Sequence, residues 1–158
     1  MSIVFQFIAG APDPALASAV AGLCTVVFAR SVDDLAWRLA NMPCCSIATA
    51  WRGTQLVGFK IGHAHARHRY YSWLGGVHPG HRRQGIAARL AELQHAWAAN
   101  QGFAAVETSV DQANDAMTRA NLHAGFGVCG MKSEPGRVQV LFRKDLARRD
   151  HGQGAISA

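Results

Sequence analysis

The sequence predicts a single α/β domain of the α+β kind: one mixed, mostly antiparallel central sheet flanked by helices. Two changes in hydrophobic period and one property of the composition carry this reading. Helical spacing dominates the first forty residues, alternating strand patterns fill 45–77, and strand and helix then alternate to about 142. With 158 residues, 49% apolar and 16% charged, the chain can bury a core and is not a disordered tail.

Residues 3–8 read as a first strand, and 10–14, with two prolines and a glycine, as a turn. Two helices are expected over 14–29 and 32–42, the second with Ser31 as N-cap and Asp33 and Asp34 in its first turn. The uncharged run 15–29 is too short to cross a bilayer, which takes roughly 18 residues or more, so it reads as a core helix rather than a membrane segment. The N-terminus lacks the basic start of a signal peptide. Strands at 46–51, 56–65 and 70–77, joined through Arg52-Gly53-Thr54, form a meander. Helix 84–100 is the clearest element, with Ile86, Leu90, Leu93 and Trp97 on one face and Gly102 past its end. A strand at 104–110, a helix at 114–124 closed by Gly125, and strands at 126–131 and 138–142 complete the order β-α-α-β-β-β-α-β-α-β-β. The domain is expected to span 1–146 and the patternless 147–158 to be a disordered tail.

The formal charge is +6, which favours anionic partners without choosing among them. Nucleic acid is not expected, because no helix-turn-helix, zinc or aromatic-basic motif accompanies the charge. Cys24, Cys44, Cys45 and Cys129 show no C-x-x-C spacing and read as reduced, mostly buried thiols of a cytoplasmic protein. His63, His65 and His68 lie close in sequence, but no acidic residue lies in the same segment, so no metal site is expected.

Residues 73–87, Trp-Leu-Gly-Gly-Val-His-Pro-Gly-His-Arg-Arg-Gln-Gly-Ile-Ala, describe a strand entering a basic, glycine-containing loop that opens a long helix. A helix start offers unpaired amides and a favourable dipole to phosphate. Gly85 lets backbone and ligand approach closely, and Arg82 and Arg83 add charge at the same place. The spacing is neither G-x-x-x-x-G-K-[ST] nor G-x-G-x-x-G, which argues against an NTPase or a dinucleotide enzyme.

Residues 82–87, Arg-Arg-Gln-Gly-Ile-Ala, match [QR]-x-x-G-x-[GA], the pattern of the GNAT N-acetyltransferases. Val77-His78-Pro79 resembles the V-x-P that enters that loop, and Asn114 followed by Gly125-Phe126 resembles the family's second signature. The resemblance covers about 45–143. It implies a GNAT-like fold with a splayed central strand pair, and acetyl-CoA as cosubstrate. The pyrophosphate would rest on amides of Arg82, Arg83, Gly85, Ile86 and Ala87, and pantetheine would lie along Gly75 and Val77. Asn114 would bond pantetheine or set the following turn. Many relatives carry a Tyr seven residues after that Asn, able to protonate the departing sulfur, whereas Asn121 stands there in this chain. An amide can donate a hydrogen bond but is no general acid.

Glu107 is the candidate base: it either reaches the cleft or stays exposed, the commoner outcome for a strand carboxylate. His78 beside the loop is a second titratable group, though turn histidines usually face solvent. Tyr70, Tyr71 and Trp73 either line an acceptor pocket or pack. The implied activity is acetyl transfer to a primary amine of a small molecule or peptide. A non-catalytic acyl-CoA-binding module is the alternative that Asn121 leaves open. The apolar helix 14–29 is compatible with a homodimer.

Overall fold

The computed structural model describes residues 1–147; apart from Ala147, the expected tail lies outside the described residues. In chain order the elements are β1 (Ile3–Ala9), α1 (Pro14–Phe28), α2 (Leu35–Asn41), β2 (Ser46–Arg52), β3 (Gln55–Ala66), β4 (Arg69–Val77), α3 (Ile86–Asn100), β5 (Ala105–Asp111), α4 (Asp115–His123), β6 (Gly127–Glu134) and β7 (Arg137–Asp145). The strands form one sheet in the order β1-β2-β3-β4-β5-β7-β6. Every neighbouring pair is antiparallel except β4–β5. This matches the expected mixed sheet.

The two faces are covered differently. Helix α1 starts at Asp13, whose carboxylate accepts the Leu16 N–H at 2.8 Å, and Pro14 suits the first turn because its missing donor is not needed there. Its buried residues Leu16, Val20, Leu23 and Cys24 pack, with Leu35 and Leu39 of α2, on Ile47, Phe59 and Ile61 of the sheet. Each such side chain contributes roughly 1.5–3 kcal/mol on burial. Helix α3 covers the other face, placing Ile86 and Leu90 on Ala48, Ala50 and Val57, and Ala98 on Tyr70 and Val106. Gly62 of β3 makes the close approach there: a methyl group would sit 2.3 Å from Tyr70 Cε1 and 2.8 Å from Gln94 Nε2.

Four expectations are corrected. Helix α2 begins at Leu35, and its N-cap is Asp34 rather than Ser31; Asp34 is left-handed (φ 55°) and makes no side-chain cap. Helix α3 starts at Ile86, two residues later than 84, because Gly85 (φ 75°) stands outside it as N-cap. The final hairpin is longer than expected: β6 runs to Glu134 with nearly every residue exposed, so no burial pattern marks its length. Only Cys24 and Cys45 are buried, and burial pushes both thiols up to about 11; Cys44 and Cys129 are exposed. Among the described residues no helix is long and apolar enough to cross a membrane.

Candidate active site

The site is built around the parallel pair. β4 and β5 stay in register only at Arg69–Ala105, Tyr70–Val106 and Tyr71–Glu107. Beyond that they part, bridged at the start by Thr108 Oγ1, which donates to the Ser72 carbonyl at 3.0 Å. On its other side β4 remains paired with β3 to Val77, and the His78 N–H donates to the Val57 carbonyl at 2.8 Å. Peptide groups alternate direction along a strand, so Gly75 and Val77 direct theirs into the opening. Both residues therefore lie on a free edge. Arg82 Nε donates to the Val77 carbonyl at 3.1 Å, the side chain of the loop folding back on that edge.

The edge leads to the basic loop. His78 caps a short 3₁₀ turn (Pro79–His81) through Nδ1, which accepts the Gly80 N–H at 3.1 Å. Arg83 (φ 61°) and Gly85 (φ 75°) are both left-handed, a conformation that costs a residue with a side chain about 1–2 kcal/mol. None of the backbone amides of residues 82–88 has an acceptor among the described residues. Nothing stands within 4 Å of the place a Cβ on Gly85 would take. Arg82, Arg83, Gly85 and Ala87 are exposed, whereas the Ile86 side chain is buried and anchors the first turn. Together these features form an open anion cradle at a helix N-terminus.

The later motif splits into two roles. Asn114 is the N-cap of α4, its Oδ1 accepting the Met117 N–H at 3.1 Å, so the side chain sets the turn. Asn121 is buried, 8% exposed, and its Nδ2 has no partner among the described residues. Its own carbonyl accepts the Phe126 N–H at 3.0 Å, which ties α4 to the Gly-Phe pair beside α3.

Glu107 faces the opposite side of the sheet. Val106 and Val110 pack toward α3, and alternation turns Glu107 and Ser109 away. The carboxylate is not exposed as expected: its side chain is 12% exposed, with Oε1 3.2 Å from Arg69 and 3.4 Å from Arg143. Beside it, the Tyr71 hydroxyl meets Ser109 Oγ at 2.5 Å, and the rings of His63 and His65 lie 5.6 and 5.5 Å from that of Tyr71. Desolvation holds the His63 pKa below its ordinary value, which favours the neutral ring. Its Nδ1 lies 2.9 Å from the Ala64 carbonyl and must donate to it, which leaves the Nε2 lone pair available. Tyr70, by contrast, is wholly buried and bonds Ser46. Among the described residues no three His, Cys, Asp or Glu side chains gather as a metal site would require.

Residues 22–126 match the profile of the acetyltransferase (GNAT) family. The chain belongs to that family.

Solved structures agree on the GNAT fold. The ribosomal-protein-S18-alanine N-acetyltransferase of Escherichia coli superposes with TM-score 0.75 at 12% identity, over 94% of this chain and 99% of that one. An aminoglycoside 6'-N-acetyltransferase complexed with coenzyme A gives 0.75 at 15%, over 90% and 98%. A streptothricin acetyltransferase of Bacillus anthracis in complex with acetyl coenzyme A gives 0.62 at 19%, over 68% and 66%. No curated protein sequence matches the chain. As a GNAT protein it is an acyltransferase.

Within this GNAT site the sequence pointed to neither His63 as a neutral ring beside the fork nor Lys60. Lys60 interrupts the apolar run Leu56-Val57-Gly58-Phe59-Lys60-Ile61, and that lone charge in a central strand is the signal that could have found it.

Proposed function

We propose that the protein is an acetyl-CoA-dependent N-acetyltransferase that passes the acetyl group directly to a primary amine of a small molecule or peptide. The observation that carries this reading is the pair of free donor sets at the two ends of one short turn: the β4 amides of Gly75 and Val77, and the amides at the start of α3. An extended pantetheine arm can add to that edge as a strand would, and the pyrophosphate then meets the amides of Arg82, Arg83, Gly85, Ile86 and Ala87. Arg82, released from the Val77 carbonyl, is free to pair with phosphate.

The two faces of the fork then take opposite tasks. Asn121, from the α3 face, offers its unpartnered Nδ2 to the thioester. Glu107 and neutral His63, on the far face, flank the side from which an amine must come and receive its proton. Direct transfer requires no covalent enzyme intermediate.

Calorimetry with acetyl-CoA, followed by thiol release across a panel of small and peptide amines, tests the reading. Binding in the micromolar range with turnover on at least one amine is expected. Absence of acetyl-CoA binding would remove it. Binding without turnover on any amine would favour an acyl-CoA sensor, the reading that Asn121 at the acid position supports.

A further inference from the structure

Four buried side-chain polar atoms on the α3 side of the sheet have no partner among the described residues. Both amide atoms of wholly buried Gln94, Nε2 of His95 and Nδ2 of Asn121 lack partners among the described residues. Buried polar atoms find partners in the large majority of cases, so such a concentration points to a polar ligand.

Lys60 enters this region from β3. It pairs in register with Gly75, and both face α3. The lysine stem lies beside the bare backbone of Gly75: a methyl group there would sit 3.5 Å from Lys60 Cγ, in ordinary contact. Beyond it is His95, whose ring packs edge-on against Phe126 at 5.7 Å. The half-buried Lys60 has no salt bridge and no side-chain hydrogen bond among the described residues. Among the described residues the titratable groups on this face are His95 from α3, Lys144 from β7, Tyr70 from β4 and Lys60 itself, and none is a carboxylate. Lys144 is spoken for, donating to the Ala124 carbonyl at 2.8 Å. Burial lowers the Lys60 pKa to about 8, while burial and the charges of Lys60 and Lys144 lower that of His95 to about 4. Among the described residues a lone ammonium without a counter-ion is thus carried by the residue paired with Gly75, where the free edge begins.

We propose that Lys60 is a further catalytic residue of this site, its ammonium group pairing with the sulfur that leaves the thioester and holding it as the thiolate. The inference rests on the acetyl-CoA reading above. The attacking amine forms the N–C bond to the acyl carbon as the C–S bond breaks. Sulfur departs with the bonding pair as a thiolate paired with the Lys60 ammonium, and takes a proton from solvent on release. The attacking nitrogen loses its proton to the far face of the fork and thence to solvent. The net change is amine plus thioester to amide plus thiol. Asn121 supplies a hydrogen bond that an amide can give, and Lys60 supplies the positive charge that it cannot.

The test uses product coenzyme A, so it needs no known acceptor. Its thiolate absorbance is titrated when bound to the unaltered protein, to Lys60→Met and to Lys60→Arg, with desulfo-coenzyme A as the blank. A nearby cation lowers the pKa of an anionic group by one unit or more, so bound thiolate at neutral pH should rise about tenfold over free coenzyme A. In Lys60→Met that rise disappears while coenzyme A still binds; thermal melting verifies the fold. Lys60→Arg keeps the thiolate signal and most of the turnover on a responsive amine, since guanidinium supplies the same charge, whereas Lys60→Met loses both. A bound thiol that titrates as it does in free solution, or a thiolate signal that survives in Lys60→Met, overturns the proposal and leaves the acetyl-CoA reading standing. Failure to bind coenzyme A at all overturns both.

Discussion

Tyr71 on β4 and Glu107 on β5 are the last residues to pair before their strands separate. They mark the crotch of the fork on the face away from α3, and Glu107 is held there by Arg69 and Arg143. Glu107→Gln keeps the shape and removes the charge. Turnover on a responsive amine should fall by roughly 10²-fold if this carboxylate takes the proton. Stability should change by less than about 1 kcal/mol, because both arginine partners are largely solvated. Steady-state kinetics and a denaturant titration read the two effects; undiminished turnover would hand the role to His63.

Gly85→Ala separates ligand access from folding. Open space surrounds the missing Cβ, so the substitution costs the fold only the strain of a left-handed alanine, about 1 kcal/mol. A methyl group in front of the amides should nonetheless weaken coenzyme A binding by roughly tenfold or more. Calorimetry beside a thermal melt shows whether the two effects dissociate.

Asn114→Ala tests a different division of labour. The side chain caps a nine-residue, largely exposed helix, and its loss should cost about 1 kcal/mol. If capping is its whole task, replacement by Asp or Ser restores both stability and coenzyme A affinity. Restored stability with lost affinity would show that the amide also touches the ligand.

Two depressed basic groups set the pH dependence of the free protein. His95 titrates near 4 when folded and near 6.5 when unfolded, so the unfolded chain binds the extra proton in that interval. Stability should therefore fall on acidification through this window, by up to about 1.4 kcal/mol per pH unit. Lys60 acts likewise at the basic end: between about 8 and 10.5 the unfolded chain holds a proton that the folded one has lost, and stability rises with pH. It follows that Lys60→Met should melt at a higher temperature than the unaltered protein at pH 7, since both charged states are present there and only burial is penalised. Melting curves across pH for Lys60→Met and His95→Leu test each limb.

The cradle was legible because its chemistry is local. Gly85, the paired arginines and the helix pattern from Ile86 sit within a few residues, and the structure finds them adjoining. The strand order was legible from alternation. What escaped depends on contacts distant in sequence. The N-cap of α2 moved because the packing of Leu35 and Leu39, rather than Ser31, decides where that helix starts. Glu107 changed from an exposed charge to a held one through Arg69 and Arg143, neighbours that only the sheet supplies. Asn121 was singled out by motif, yet its lack of a partner is visible only in three dimensions. Lys60 carried a signal, an ammonium among Val57, Phe59 and Ile61, whose meaning needed the bare backbone of Gly75 beside it.

An unsatisfied strand margin usually lies at the rim of a sheet, where another protein can extend it and seed aggregation. Here it lies indoors, between two strands that diverge from a common base. A slim, unbranched tether can pair with such an enclosed edge without side chains for the facing strand to meet. An edge enclosed in this way is also withheld from other copies of the chain, and filling it should tighten a sheet that is otherwise left ajar.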